Sequence, residues 1–226
     1  MNLWIVVQTS GTYSGILILT ISPLQTKITK PISSASFRKE AFSVSEDHLI
    51  RYCAPTLAGI KTGSLFTCSC PCAEELRNTV RSLNKRLVPK GLRLLPLRFS
   101  DQKALMYVYR PSGLKQDLSN ETASRLLKEH GYCTESCEHC IAQLAHKLKN
   151  FGEFPHEIGL FLGYPPEDVA GFMENKASRS KCTGCWKVYG DVDAAKKRFE
   201  QYRKCSRVYQ ICWENGSSLD RLAVVR

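Results

Sequence analysis

Leu92-Arg93-Leu94-Leu95-Pro96-Leu97-Arg98-Phe99, then Ser100-Asp101-Gln102, then Ala104-Leu105-Met106-Tyr107-Val108-Tyr109 is the stretch whose reading decides the fold. Two apolar runs flank a short polar turn, and the second is rich in Tyr and Val, which suit a pleated surface. The pattern predicts a β-hairpin and therefore an antiparallel strand pair. Pro96 has no N–H to give to a ladder, so its strand is expected at a sheet edge or with a bulge. Just upstream, residues 73–88 read as an amphipathic helix, with Leu76, Val80, Leu83 and Leu87 at i, i+4, i+7 and i+11 on one face. Glu74 and Glu75 in its first turn and Lys85 and Arg86 near its end match the helix dipole. Gly91 is a plausible stop.

Working outward, Ser45-Glu46-Asp47 resembles a helix start, and residues 62–67 read as a short strand. Ser119 is placed to cap a helix running through Leu126-Leu127 to Gly131, and Thr134 to cap another from Glu135 to about Asn150. Residues 155–162 and 166–175 read as two short helices, each opened by proline. Residues 186–189 are strand-like, and Asp191 or Asp193 begins a last long helix reaching roughly Trp213. Helices outnumber strands and at least one strand pair is antiparallel. The fold class is α+β, a small, at least partly antiparallel sheet packed with several helices.

The chain has 226 residues, 43% of them hydrophobic, and a formal net charge of +11. Those values exclude a largely disordered chain, a collagen-like repeat and a polytopic membrane protein. The charge is blocked. Residues 77–115 carry ten basic residues against one acid, and residues 176–207 carry ten against three. Residues 116–175 between them hold four basic and ten acidic residues. Such blocks fit an acidic protein partner or a small anionic ligand; a nucleic-acid surface rests on the two basic blocks alone and is not favoured.

Eleven cysteines are an odd number, too dilute for a disulfide scaffold, so reduced thiols and a cytoplasmic location are expected. The sequons Asn120-Glu121-Thr122 and Asn215-Gly216-Ser217 are then chance matches. Residues 1–43 hold two apolar runs split by a polar gap, without the charged start of a signal peptide. They are expected to lie outside the folded domain, which would span residues 44–226 with no membrane segment. Their origin is expected to be a start assigned upstream, with Val44 encoded by an alternative initiator.

Four strings carry a resemblance: 51–66 (Arg51-Tyr52-Cys53-Ala54-Pro55-Thr56-Leu57-Ala58-Gly59-Ile60-Lys61-Thr62-Gly63-Ser64-Leu65-Phe66), 104–111 (Ala104-Leu105-Met106-Tyr107-Val108-Tyr109-Arg110-Pro111), 154–169 (Phe154-Pro155-His156-Glu157-Ile158-Gly159-Leu160-Phe161-Leu162-Gly163-Tyr164-Pro165-Pro166-Glu167-Asp168-Val169) and 181–191 (Lys181-Cys182-Thr183-Gly184-Cys185-Trp186-Lys187-Val188-Tyr189-Gly190-Asp191). Together they resemble the domain-of-unknown-function family 3793, found mainly in anaerobic Gram-positive bacteria. The resemblance runs from about residue 44 to the C-terminus. It implies a cytoplasmic setting and no particular activity.

Several motifs bear on chemistry. Cys68-Ser69-Cys70-Pro71-Cys72 precedes a helix N-terminus, whose dipole lowers thiol pKa, so Cys68, Cys70 and Cys72 are candidate reactive thiols or metal ligands. Cys133, Cys137 and Cys140 have the C-x3-C-x2-C spacing of an iron–sulfur site. However, Cys137, Cys140, Ile141, Leu144 and Leu148 share one helical face, which points the thiols into a core. Cys182-Thr183-Gly184-Cys185 is a zinc-knuckle spacing, again read as structural. A metal ion or iron–sulfur cluster is thus weighed and not favoured. Residues 159–169 have helix-turn-helix spacing, but Glu167, Asp168 and Glu174 would face phosphate, so a packed helical hairpin is expected. No phosphate loop, nucleophile elbow or dinucleotide fingerprint is present.

The leading expectation is a binding or accessory protein tied to redox or metal metabolism, with its ligand near the junction of residues 51–66 and 154–169. Lys61, Arg110 and Tyr164 are its candidate ligand contacts. The alternative is a small enzyme acting on an anionic substrate, with His156 and Glu157 as acid–base pair and Lys61 or Arg110 supplying charge.

Overall fold

The computed structural model describes residues 44–150 and 154–226; the expectation for residues 1–43 lies outside them. The hairpin is present as β2 (Arg93–Ser100) and β3 (Lys103–Tyr109). Asp101 and Gln102 between them both have positive φ (46° and 59°), as a two-residue hairpin turn requires. The antiparallel ladder runs from Ser100 opposite Lys103 to Arg93 opposite Tyr109, with a register shift between Pro96 and Arg98. Pro96 therefore sits both on an edge strand and at an irregularity. On its other side β3 pairs antiparallel with β1 (Gly63–Ser69), so the strand order is β1-β3-β2.

Both faces of this sheet are buried, because β3 alternates two apolar sets. Ala104, Met106 and Val108 face one core, while Tyr107 and Tyr109 face the other. The first core is covered by α1 (Glu46–Leu57), α2 (Ala73–Leu87) and α9 (Leu219–Leu222). The second is covered by α3 (Pro111–Leu118), α4 (Glu121–Glu129), α5 (Cys137–Asn150), α6 (Ile158–Phe161) and α7 (Pro166–Glu174). A small antiparallel hairpin of β4 (Cys182–Thr183) and β5 (Lys187–Val188) joins this second layer. The 23-residue α8 (Val192–Glu214) serves both, giving Ala195, Phe199 and Tyr202 to one core and Tyr209, Cys212 and Trp213 to the other. No helix among the described residues is long and apolar enough to cross a membrane.

Local signals explain most boundaries. The Ser45 hydroxyl accepts from His48 N–H, and the His48 ring reaches back to Ser45 N–H, a reciprocal cap for α1. Asp191 caps α8 through the backbone N–H groups of Asp193 and Ala194. Two caps differ from expectation. Ser119 ends α3, a helix opened by Pro111, and Asn120 caps α4 by accepting from Thr122 and Ala123 N–H. Two capping residues in succession mark a stop and a restart; the sequence reading has only the second helix, with Ser119 as its cap, and no helix over residues 111–118. Likewise Ser136, not Thr134, takes the His139 N–H at the start of α5. The 159–169 segment is the expected helical hairpin, with Ile158, Phe161, Leu162 and Val169 buried.

Arg110, at the exit of the central strand, is only 4% exposed. Its guanidinium donates to the carbonyls of Thr56 (2.8 Å), Leu57 (2.7 Å), Val224 (2.8 Å) and Lys90 (3.2 Å). It thereby closes the end of α1, the 3-10 turn Val88–Lys90 and the C-terminal segment onto β3. Four of its five N–H groups are thus spent on backbone carbonyls, which makes Arg110 a structural residue here rather than a group held open for a ligand. Arg110→Met should cost about 3–5 kcal/mol in chemical denaturation, the range for stripping one side of a buried charged network. Arg110→Lys should not rescue it, because a single ammonium cannot span these carbonyls.

Candidate functional site

The site forms where residues 51–66 meet residues 154–169 and 181–191. Its scaffold is a buried carboxylate. Asp168, in the first turn of α7 and 3% exposed, accepts from Trp186 Nε1 through Oδ2 (2.7 Å). Its Oδ1 accepts from the backbone N–H groups of Tyr189 and Gly190, each at 2.7 Å. Three neutral donors satisfy the charge without an ion pair, and they pin the β4–β5 hairpin to α7. The hairpin can lie this close to α7 because Gly171 presents no Cβ to the Tyr189 ring, and Gly184 likewise leaves room for the Phe199 ring of α8.

On this platform Tyr164 is fixed. Its ring stacks on Trp186 (centroids 4.9 Å apart), and its hydroxyl donates to the Cys185 carbonyl at 3.4 Å. Gly163, at φ +73°, turns the chain from α6 into this position. Lys61 arrives from the other side, on the link between α1 and β1. Its ammonium lies 5.4 Å from the Tyr164 ring centroid and 6.0 Å from that of Tyr202, cation–π distances. It makes no ion pair with any described acid. Burial pulls its pKa down to about 8, against the opposing influence of the Cys185 and Cys53 thiols nearby. Burial also raises the Cys185 thiol, with Lys61 working the other way.

Beside Tyr164 opens a cleft of about 350 Å³, walled by Asp117, Gly163, Pro165, Glu167, Asp191 and Arg198 among others. The acids there are largely committed: Asp168 to its three donors, Asp191 to the α8 cap, and Asp117 to the Thr62 hydroxyl. Burial raises the Asp117 pKa, opposed by Thr62 and by the charge of Arg198. Across Tyr164 lies a narrower apolar pocket of about 50 Å³, lined by His156, Ile158, Val169, Phe172 and Trp186.

Residues 49–223 match the family described as protein of unknown function (DUF3793). The chain belongs to the DUF3793 family. No curated protein and no solved structure matches it. In this DUF3793 chain the four strings that carried the resemblance converge on the region just described, and much of their side-chain chemistry is structural. Asp168 joins residues 154–169 to 181–191, while the Tyr107 hydroxyl donates to Phe161 O at 2.5 Å and joins residues 104–111 to 154–169.

Of the candidates read from sequence, the DUF3793 fold brings Lys61 and Tyr164 together and separates the rest. His156 and Glu157 diverge. The His156 ring packs on Phe172 (5.1 Å, edge-on), whereas Glu157 is 4% exposed and accepts from Tyr132 (3.0 Å) and Lys147 (3.2 Å). They do not face a common space, so the paired acid–base reading loses its geometry. Cys68 and Cys70 require correction as solvent-facing thiols. They are 3% and 7% exposed in the α1–α2 core, and burial raises both pKa values, that of Cys68 to about 11. Only Cys72 stands exposed at the α2 N-cap. Among the described residues no group of three His, Cys, Asp or Glu side chains is arranged to hold a metal ion.

Sequence reasoning missed Asp117, Asp168, Arg198 and Tyr202. Tyr202 had a signal, since Ala195, Phe199 and Tyr202 recur at i, i+4 and i+7 on α8. Asp168→Ala should destabilise the protein by about 3 kcal/mol or more, leaving three buried donors unmet. It should also shift Trp186 fluorescence; unchanged emission would argue against the platform. Alkylation of the native protein should label Cys72 and Cys133 first. Cys53, Cys68, Cys70 and Cys140 should react only on unfolding, and equal rates at Cys68 and Cys72 would contradict their placement.

Proposed function

We propose that this protein binds a small carboxylate-bearing molecule beside Tyr164, received by the Lys61 ammonium that lies over the Tyr164 ring, outside the cleft wall, and by Arg198 on the wall of the adjoining cleft. The observation that carries the reading is the Lys61 ammonium, held on two tyrosine rings with no carboxylate partner among the described residues. A desolvated cation without a counterion is costly by itself and gains most from an anion brought by a ligand. Arg198 adds a second positive group on the cleft wall, facing Asp117. Of the cleft's acids, Asp117, Asp168 and Asp191 are occupied by hydrogen bonds or a cap, while Glu167 on the same wall has no such bond among the described residues. The expected small anionic ligand keeps its place in this reading, while its contacts change: Tyr164 and Lys61 stay and Arg198 replaces Arg110.

A redox or metal role through the thiols loses support, because burial takes Cys68 and Cys70 out of reach. All eleven cysteines are free thiols, which supports a reducing, cytoplasmic setting.

Millimolar acetate, succinate or pyruvate should raise the melting temperature of the native protein at neutral pH. The sign of the pH dependence follows from Lys61. The cation is present below its pKa of about 8 and lost above it. A bound anion holds the proton on, so stabilisation should fade as pH rises through and beyond that value. Lys61→Gln should abolish it. Stabilisation by no carboxylate, or stabilisation indifferent to both Lys61→Gln and Arg198→Gln, would reject the reading.

A further inference from the structure

We propose, independently of the carboxylate reading, that Cys133 and Cys140 form a dithiol that exchanges with low-molecular-weight disulfides and closes an intramolecular disulfide. The burial that takes Cys68 and Cys70 out of reach does not extend to this second cysteine cluster. Residues 133, 137 and 140 differ in their access to solvent: Cys133 is exposed, Cys137 is half-buried and Cys140 is only 1% exposed. The outer and inner thiols meet because the chain before α5 is strapped along that helix. Cys133 N–H donates to Gln143 Oε1 at 2.8 Å, and Gln143 Nε2 donates to Gly131 O at 3.3 Å. Lys147 Nζ donates to His130 O at 2.6 Å. Cys140, Gln143 and Lys147 stand at i, i+3 and i+7, one stripe of α5, and residues 130–133 run along it. The Cys140 thiol in turn donates to the Cys133 carbonyl at 3.3 Å. Side chains of α5 thus hold both the N–H and the C=O of Cys133. The motion left to bring its sulfur to that of Cys140 is rotation of the Cys133 side chain.

Burial makes the pair asymmetric. It raises the Cys140 pKa to about 11, with the Cys137 and Cys133 thiols adding to the shift, so Cys140 stays protonated and shielded from reagents in solution. Cys133 is the thiol that a dissolved disulfide can reach, and Cys140 is the one placed to resolve the adduct. The Cys133 thiolate attacks one sulfur of the small disulfide, and the departing thiolate takes up a proton. Cys140 then gives up its proton and attacks the Cys133 sulfur, expelling the second thiol. Two electrons pass from the protein dithiol to the small disulfide, and excess thiol reverses both steps.

The test exposes the full reduced chain to glutathione disulfide at neutral pH, blocks the remaining thiols with iodoacetamide and maps the cysteines by mass spectrometry. Cleavage after Glu135 and Glu138 puts the three cysteines on separate peptides. The native protein should yield a Cys133–Cys140 cross-link several-fold faster than the chain does in urea, and Cys137→Ser should leave that rate unchanged. Cys140→Ser should instead accumulate the glutathione adduct at Cys133; Cys140→Ala gives the same readout if the serine unsettles the core. A glutathione adduct that persists at Cys133 in the native chain, or a cross-link to Cys137 in its place, would overturn the inference. So would a rate no faster than in urea, or a cluster that stays reduced while the exposed Cys72 is thiolated.

Discussion

A guanidinium sunk among backbone carbonyls holds this architecture together. Arg110 leaves the central strand and gathers carbonyls from the end of α1, from the turn after α2 and from the C-terminal segment. Those carbonyls lie at chain ends and turns; Thr56 and Leu57 also accept from the Gly59 and Val224 N–H groups, and the guanidinium adds a further donor to each. One five-donor side chain settles them together. The layer of α1, α2 and α9 is thus fastened to the sheet by polar contacts at its rim as well as by apolar packing at its centre.

The opposite layer is organised by an anion. Asp168 gathers three donors from the β4–β5 hairpin and so fixes Trp186, which fixes Tyr164, which provides one of the two aromatic surfaces under Lys61. The chain of causes runs from a buried carboxylate to an amine of altered acidity with no direct contact between them. The strings on which the family resemblance was read hold Asp168, Trp186, Tyr107 and Arg110, whose polar groups are structural. These segments are demanding because buried polar groups tolerate few alternatives, and the candidate ligand contacts sit within the same strings.

The strands and major helices were legible because their apolar periods are unambiguous. The hairpin at residues 92–109, the leucine stripe of α2 and the inward thiols of α5 needed only residue spacing. Pro96 announced both an edge and an irregularity. Arg110 and Asp168 were not legible, since each has a sufficient local explanation: a cation near a basic block, and an acid in a helix's first turn. Their burial depends on partners far along the chain, which periodicity does not encode. The thiols near α2 show a different failure. The strand runs past residue 67 to Ser69, and its alternation puts Cys68 on the same buried face as Phe66. Lys61 and Tyr164 were found together through the strings that contain them, though nothing in the sequence set one upon the other.

The length of α8 gives the molecule a mechanical property. Tyr202, near its middle, forms part of the seat under Lys61, while Tyr209 and Trp213 lie in the core on the sheet's other side. Because α8 is one unbroken helix rooted in both cores, the residue under the Lys61 amine and the packing against α1 share a single backbone support.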